Sequence, residues 1–494
     1  MRRYSLTAVA LALGIALFPT GGASGADAAP VDPLIDEIAV HQGAFVHLRP
    51  GASLESAQAA AQAAGATLGT AYPEIGVFMA YGTAEVFHAV ALSPSVEWIE
   101  ANTVLEYFTD TSHQATRGQD VLDGAVKVGR RIIDGSGVGV AVIDSGIDAT
   151  HPDLDDRVAM NLRVVCTVPG GAIAVGGGTG LGFSECRGPK AFVPMDNTDV
   201  AGGHGTHVSG IIAGTGEASG GTFHGAAPGA SLFGIASGTF LTVENALDGL
   251  RWVLDNHDTV TPAIRVVNNS WGSGYRKADE NDPLTGAVTK LQNRLIADGV
   301  SVVFAAGNSG GAGANPTTSV QCVNTTPGNI CVASTYDRDE GNRDGPVSSF
   351  SSRGKADRAS TTENEADPTT WPDISAPGEA IISTCRFTLP LCWAHAGQVT
   401  DPPNTYAELS GTSMAAPHIS GIVAQLYQVN PGLTPAQIED VLEDSAYKFV
   451  FDPRDDFDGT YQADPFNPND TSSFDKGHGI VDVVAAVKQA KRRR

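Results

Sequence analysis

Short apolar runs without polar alternation restrict this chain to one kind of sheet. The clearest run covers residues 138–143 and is followed directly by Asp144. A strand that is apolar on both faces is typical of a parallel sheet covered by helices on both sides. Helix-like segments separate the runs, which predicts a doubly wound, mainly parallel α/β fold with its site at the carboxyl ends of the strands. The predicted strands are 138–143, 231–236, 265–269, 300–305 and 329–333, and the predicted helices are 204–214, 243–256, 283–298 and 412–429.

Three polar side chains stand where such a fold exposes a site. Asp144 ends the first strand, His204 lies between two glycines at a predicted helix start, and Ser413 opens the last predicted helix. Each of them alone is more typical of a turn or a helix cap. A serine hydroxyl becomes a nucleophile only when a base takes its proton, and a third group must orient that base. Together, the three residues supply these functions.

The motifs around these residues belong together. Asp144 lies in Val-Ile-Asp-Ser-Gly-Ile-Asp, His204 in Gly-His-Gly-Thr-His-Val-Ser-Gly, and Ser413 in Gly-Thr-Ser-Met-Ala-Ala-Pro-His. In the chain order Asp, His, Ser, these motifs resemble those of the subtilisin-like serine proteases, the subtilases. Shorter matches follow the family's order at 151–154, 268–272, 305–310 and 375–378. The resemblance covers about residues 138–425 and implies a subtilisin-like fold and a serine endopeptidase.

The resemblance implies a role for each candidate catalytic residue. Ser413 would attack the scissile carbonyl, His204 would take its proton and give it to the leaving amine, and Asp144 would orient the imidazole. Asn308 would donate its side-chain N–H to the developing oxyanion, with the backbone N–H of Ser413 as the second donor. Asn308 follows a predicted strand and the flexible Gly307. Without this context, a solvated loop asparagine would be the simpler interpretation.

Two segments of small residues match those that line the substrate cleft in the family. The first of them would also pair with an extended substrate. Small side chains permit close approach of the backbone, and main-chain hydrogen bonds tolerate many substrate sequences. Trp271 fits either a subsite wall or a core aromatic. The implied substrate-binding residues are Ser270, Trp271, Gly272, Ala305, Ala306 and Gly307.

The amino-terminal part of the chain has a different character. Residues 1–28 combine two early arginines, an apolar stretch too short to cross a bilayer and small residues, which is the pattern of a secretory signal peptide. Residues 29–108 show a βαββαβ-like order that resembles the small α+β, ferredoxin-like propeptide of subtilases. In that family the propeptide assists folding, inhibits the enzyme and is removed by self-cleavage. A permanent small domain is the alternative, and residues 109–494 would form the catalytic domain.

The net charge of −24 limits the partners of this chain. Such acidity disfavours nucleic acid and gives no attraction to anionic membranes. No segment after the signal approaches the length of a transmembrane span. We therefore expect a secreted, extracellular monomer without a membrane anchor. Its expected partners are protein or peptide substrates and its own propeptide as inhibitor.

Six cysteines are consistent with export, because disulfides form in oxidising compartments. They allow 15 pairings, and the sequence does not choose among them. Because the cysteines fall into three close pairs along the chain, we favour nearest-neighbour pairing. A zinc site is the alternative, but no Cys-x2-Cys spacing occurs. The favoured pairs are Cys166 with Cys186, Cys322 with Cys331, and Cys385 with Cys392.

The expected chemistry requires no cofactor, but structural calcium is an open question. Asp153 matches a position that binds calcium in some subtilases, whereas the loop 215–221 lacks the asparagine-rich ligand run of those relatives. A second acidic cluster offers oxygen ligands without the glycine turn of an EF-hand loop. This cluster comprises Asp452, Asp455, Asp456, Asp458 and Asp464.

Three functions remain in competition. The favoured one is a broadly specific, secreted endopeptidase made as a self-processed zymogen. A narrow-specificity processing protease would instead carry acidic side chains at the rim of its S1 or S2 subsite. A non-catalytic binding module would have no chemical reason to keep the complete set of Asp144, His204, Ser413 and Asn308, so that set argues against it.

Overall fold

The computed structural model describes residues 28–31, 34–37, 42–73, 76–101, 111–167, 173–174, 190–200, 202–237, 243–272, 283–324, 326–338, 340–356, 372–386, 388–395, 405–449, 461–463 and 471–493. The chain forms two compact units, residues 1–106 and residues 107–494. The boundary predicted between residues 108 and 109 lies outside the described residues, as does the predicted signal peptide except for its last residue.

The first unit is built on a four-stranded antiparallel sheet in the order β2-β3-β1-β4. Its helix α2 begins where the Ser53 side chain accepts the N–H of Ser56 over 3.3 Å. Ala57 and Ala61 lie one turn apart and are fully buried, so this face packs on the sheet with Phe78. The elements are α1 (Leu34–Glu37), β1 (Gln42–Leu48), α2 (Leu54–Ala63), β2 (Thr67–Tyr72), β3 (Val77–Gly82), α3 (Ala84–Val90) and β4 (Val96–Ala101).

The second unit contains a nine-stranded sheet in which seven strands run parallel. The strand order is β13-β12-β11-β10-β5-β9-β6-β7, and β8 also pairs with β6. Only β7 and β8 are antiparallel to their neighbour, at one edge. The strands are β5 (Gly139–Asp144), β6 (Val158–Thr167), β7 (Ile173–Ala174), β8 (Lys190–Pro194), β9 (Ser231–Ala236), β10 (Ile264–Asn269), β11 (Ser301–Ala305), β12 (Asn329–Thr335) and β13 (Ile374–Pro377).

Helices cover both faces of this sheet. In the central strand β5, Val140 and Val142 join the core formed with α6, α10, α11 and α12, whereas Ala141 and Ile143 join the core formed with α7 and α8. The sequence-based prediction of a doubly wound α/β fold is therefore confirmed. The helices are α4 (Ser112–Ala115), α5 (Gly118–Leu122), α6 (His204–Ala213), α7 (Val243–Asn256), α8 (Pro283–Ala297), α9 (Pro390–His395), α10 (Thr412–Val429), α11 (Pro435–Ser445) and α12 (Val483–Ala490).

The five predicted strands and four predicted helices are all present, with ends that differ by two residues at most. The prediction missed β6, whose polar Asn161 and Arg163 interrupt the apolar pattern although both side chains are buried. Two short antiparallel pairs complete the unit, β14 (Ile381–Thr384) with β15 (Tyr406–Leu409), and β16 (Gln462–Ala463) with β17 (Thr471–Ser472). Among the described residues, no helix combines the length and apolarity needed to cross a membrane.

Candidate active site

The carboxyl edge of the parallel sheet carries several of the predicted site residues. β5 ends at Asp144, and its neighbour β10 ends at Asn269, directly before Ser270. The next strand, β11, ends at Ala305, three residues before Asn308. Because neighbouring parallel strands point the same way, these chain segments leave the sheet at one edge.

Asp144 and His204 form a hydrogen-bonded pair at this edge. Nδ1 of His204 donates to Oδ1 of Asp144 over 2.8 Å, and the N–H of Ser145 donates to the same oxygen over 2.7 Å. The Asp144 side chain is 5% exposed and that of His204 is 30% exposed. Since a carboxylate only accepts hydrogen bonds, the neutral imidazole carries its proton on Nδ1 and its basic lone pair on Nε2.

Opposing effects act on the pKa of His204. Burial lowers this pKa, whereas the charge of Asp144 and the hydrogen bond to Asp144 raise it, with a further contribution from Asp199. The carboxylates prevail, and the pKa of His204 is raised above its ordinary value of about 6.5. The protonated form of His204 is therefore stabilised at this position. A group that takes up a proton during a reaction needs such stabilisation.

Asp199 holds the start of the helix that presents His204, and sequence reasoning missed it. Its Oδ1 accepts the N–H of Gly203 over 2.8 Å, and its Oδ2 accepts the N–H and the hydroxyl of Thr206 over 3.1 and 2.7 Å. The side chain is fully buried, and this burial raises the pKa of Asp199. An aspartate shortly before a predicted helix is the usual signal of such a cap and could have identified it.

Ser413 is the second residue of α10, with its side chain half-buried. Its hydroxyl donates to the backbone oxygen of Ser270 over 2.9 Å. Among the described contacts there is no hydrogen bond between this hydroxyl and His204. Catalytic hydrogen bonds often form only when substrate is bound, so a rotation of the Ser413 side chain would be part of any reaction with His204 as the base.

The amide of Asn308 is oriented by the residue that precedes Ser413. Its Oδ1 accepts the N–H and the hydroxyl of Thr412 over 2.9 and 2.8 Å, which turns Nδ2 away from Thr412. The Thr412 hydroxyl in turn accepts the N–H of Gly307 over 3.0 Å. A Cβ placed on Gly411 would lie 3.4 Å from Nδ2 of Asn308 and 3.6 Å from the backbone nitrogen of Ser413, so two N–H donors border the same small space.

The predicted substrate-binding segments lie beside these donors. Ala305 and Ala306 are buried, and the Gly307 backbone bonds to Thr412, so this segment is held by the protein itself. At Gly272 a Cβ would lie 2.5 Å from Cβ of Ser319, which leaves no room for a side chain.

Trp271 is half-buried and packs one side of its ring against the core. Its indole N–H donates to the backbone oxygen of Ile143 over 3.0 Å, and its ring packs edge-on against Phe304 at 5.0 Å between centroids. Ile143 directly precedes Asp144, so this hydrogen bond joins the segment predicted to bind substrate to the strand that carries the Asp144 carboxylate. These contacts hold one side of the half-buried ring against the core, and they are compatible with both roles that the sequence left open, a core aromatic and a subsite wall.

Two of the three favoured disulfides are confirmed. Cys322 bonds to Cys331 and Cys385 bonds to Cys392, with Cα atoms 5.1 and 5.5 Å apart. The side chains of the third predicted pair, Cys166 and Cys186, lie outside the described residues.

The Cys385–Cys392 disulfide supports the approach to His204. Leu391 N–H donates to the Gly202 oxygen over 3.3 Å, and a Cβ on Gly203 would lie 2.8 Å from Sγ of Cys392. Gly203 has a φ of 99°, in the left-handed region that favours glycine. Both the backbone and the packed sulfur therefore exclude a larger residue before His204.

Asp153, which matches a calcium-binding position of some subtilases, is held by two hydrogen bonds. Its Oδ1 accepts the N–H of Ala218 over 2.8 Å, and its Oδ2 accepts the hydroxyl of Tyr406 over 2.6 Å. Each oxygen of this fully buried carboxylate thus accepts one hydrogen bond, and the two bonds fix the orientation of the group. The acidic cluster predicted at 452–464 lies outside the described residues.

Comparison with known proteins gives a consistent result. The sequence model of the Subtilase family matches residues 135–479. The serine protease AprX of Bacillus subtilis (strain 168) is 30% identical over 372 residues, which cover 72% of this chain and 70% of AprX. Subtilisin E of the same organism is 29% identical over 362 residues, covering 72% of this chain and 66% of that protein. The solved structure of the S41 psychrophilic protease is 23% identical in sequence. Its alignment covers 74% of this chain and 97% of the protease chain, with a TM-score of 0.50.

Proposed function

Because this chain belongs to the subtilase family and is a serine endopeptidase, we propose that Ser413, His204 and Asp144 form its catalytic triad. The observation that carries the proposal is the 2.8 Å hydrogen bond between His204 and the buried Asp144. It orients the imidazole, selects the tautomer with a basic Nε2 and stabilises the imidazolium.

The reaction runs as an acyl transfer in two halves. The Ser413 hydroxyl leaves its resting partner, the Ser270 oxygen, gives its proton to Nε2 of His204 and attacks the scissile carbonyl carbon. The carbonyl oxygen becomes an oxyanion, to which Asn308 Nδ2 and the Ser413 backbone N–H donate. Collapse of this intermediate breaks the C–N bond, and His204 gives its proton to the leaving amine.

Water completes the cycle. His204 takes a proton from a water molecule, which attacks the ester carbonyl on Ser413, and the second tetrahedral intermediate expels the serine oxygen. That oxygen recovers its proton from His204, and the carboxylate product leaves. Every proton and charge in this sequence is assigned to a side chain or a backbone N–H, so the scheme needs no cofactor.

We further propose that the substrates are proteins or peptides of broad sequence and that the enzyme is a secreted monomer without a membrane anchor. The backbone around Ser270–Gly272 would bind an extended chain without strong demands on its side chains. Residues 1–28 would direct export, and residues 29–108 would be a propeptide that inhibits the enzyme until it is cut off. The βαββαβ order of the first unit supports this last assignment.

The test is the intact mass of the secreted protein, wild type beside Ser413→Ala and Ser410→Ala. Ser410 is an exposed serine three residues earlier and is the matched control. We expect wild type and Ser410→Ala to lose the segment up to about residue 108 and to react with phenylmethanesulfonyl fluoride, whereas Ser413→Ala does neither. Identical processing of all three proteins would refute self-cleavage through Ser413. A Ser413→Ala variant that still hydrolyses peptides would refute the triad.

A further inference from the structure

The backbone oxygen of Ser413 lacks the partner that a helix normally provides. In α10 this oxygen would accept the N–H of the residue four positions later, but that residue is Pro417, which has no N–H. The hydroxyl of Ser270 donates to it instead, over 2.9 Å. A side chain from the end of β10 therefore replaces the missing helical hydrogen bond beside the nucleophile.

Two further side chains hold the Ser270 hydroxyl in place. Nδ2 of Asn268 donates to Oγ of Ser270 over 3.0 Å, and Oγ of Ser420 donates to Oδ1 of Asn268 over 2.8 Å. Asn268 and Ser420 are fully buried, and Ser270 is 3% exposed. Ser420 lies on α10 itself, two turns after Ser413, so this relay begins and ends on one helix and passes through β10.

Each hydrogen bond of the relay determines the direction of the next. Because the Ser420 hydroxyl donates to Oδ1 of Asn268, the amide presents its NH₂ group to Ser270. Since Ser270 Oγ then receives a hydrogen bond, its single proton points to the Ser413 oxygen. Without Ser420 the amide can turn over, and Ser270 would donate to Asn268 Oδ1 and leave the Ser413 oxygen without its donor.

We propose that Asn268 and Ser420 are positioning residues for the nucleophile, an inference that rests on the proposed role of Ser413. The relay holds the first turn of α10 against Ser270, which also accepts the Ser413 hydroxyl over 2.9 Å. It thereby fixes the backbone that carries both reacting groups of Ser413, the hydroxyl that attacks after it rotates and the N–H that donates to the oxyanion. A shift of this turn lowers the rate of acylation without weakening substrate binding.

The test compares Ser420→Ala with Ser301→Ala. Ser301 is the matched control, because it is also fully buried and its hydroxyl bonds to that of Tyr427 on the same helix over 2.9 Å, away from the relay. We expect the two variants to have similar melting temperatures. Only Ser420→Ala should lower kcat for a peptide p-nitroanilide, by about threefold to tenfold, the effect of one hydrogen bond, with KM within about twofold. Burst titration of active sites removes any unfolded fraction from kcat.

The reactivity of the Ser413 hydroxyl is also measured without a peptide substrate. Phenylmethanesulfonyl fluoride reacts with the Ser413 hydroxyl, and its second-order inactivation rate should fall by the same factor in Ser420→Ala and stay unchanged in Ser301→Ala. Asn268→Asp, which keeps the side-chain size but cannot donate to Ser270, should lower both rates further.

Two results would overturn the inference in distinguishable ways. If kcat and the inactivation rate of Ser420→Ala equal those of Ser301→Ala, the relay has a purely structural role. If the wild-type protein itself does not react with phenylmethanesulfonyl fluoride, both the proposed triad and the relay's role in positioning it are wrong.

Discussion

The buried carboxylate of Asp199 anchors the helix that begins at His204, and its removal should weaken both the fold and the reaction. Asp199→Ala removes the acceptor of four donors, namely the N–H groups of Gly202, Gly203 and Thr206 and the hydroxyl of Thr206. A buried donor without a partner costs about 1–3 kcal/mol. The costs of neighbouring unpaired donors overlap and do not simply add. Burial also disfavours the ionised form of Asp199 in the wild type, which offsets part of the cost of its removal. We therefore expect a loss of about 4 kcal/mol in the free energy of unfolding.

For the unit that spans residues 107–494, an unfolding entropy of about 2.1 cal/mol/K per residue makes each kcal/mol correspond to about 1.2 °C, so the melting temperature should fall by about 5 °C. Circular dichroism measures it in a Ser413→Ala background, where self-digestion cannot interfere. In the active background, kcat/KM should fall at least about tenfold because His204 loses its fixed backbone.

The control for this experiment is Asp255→Ala. It removes an exposed carboxylate 3.6 Å from Arg251 and should change stability by less than about 1 kcal/mol. A fall below about 2 °C for Asp199→Ala, together with an unchanged kcat/KM, would refute the view that Asp199 holds this helix.

Three further results are expected. As pH rises, kcat/KM should increase, because His204 acts as a base only when it is neutral. Since the pKa of His204 is raised, the midpoint of this increase should lie above the ordinary histidine value of about 6.5. A midpoint below about 6.5 in the pH–rate profile would contradict this expectation. Asn308→Ala should lower kcat about 100-fold to 1,000-fold in a peptide hydrolysis assay with little change in KM, and an effect confined to KM would exclude its role at the oxyanion. Asp373 directly precedes β13, and its burial raises its pKa to about 7, above the value in the unfolded chain. Over this range of pH the folded state binds more protons than the unfolded state. The melting temperature should therefore fall as pH rises from about 5 to 8. Asp373→Asn should flatten that dependence, and an equal slope in both proteins would show that other groups cause it.

The residues that could be predicted from the sequence are those whose signal is local. Asp144 ends an apolar run, and the glycines around His204 and before Ser413 mark helix starts, so a short window contains both the element and its functional side chain. The same reasoning gave five of the seven parallel strands and the helices α6, α7, α8 and α10, because hydrophobic periodicity reports burial directly. The Subtilase match and the doubly wound sheet agree with these predictions.

The hydrogen bonds that hold the site residues in place could not be predicted in this way. Ser420 and Asn268 are 152 residues apart, and their hydrogen bond depends on α10 packing across β10, which no local pattern specifies. The role of Trp271 was undecided for the same reason, since its indole partner belongs to the strand that carries Asp144. For Asp153, the motif gives the match to a family calcium position but not the Tyr406 hydroxyl, 253 residues away, that donates to one of its oxygens.

The strand pairing that assembles the site also determines when activity can arise during folding. Asp144 and His204 are 60 residues apart in the chain, and Ser413 lies 143 residues beyond the Ser270 oxygen that it contacts. Parallel strands pair only after long crossovers have closed, so such contacts form late and slowly compared with local helices. With the proposed triad, a chain with its helices formed but its sheet incomplete would have no base beside its nucleophile. We therefore expect each molecule to gain activity only once its sheet is complete.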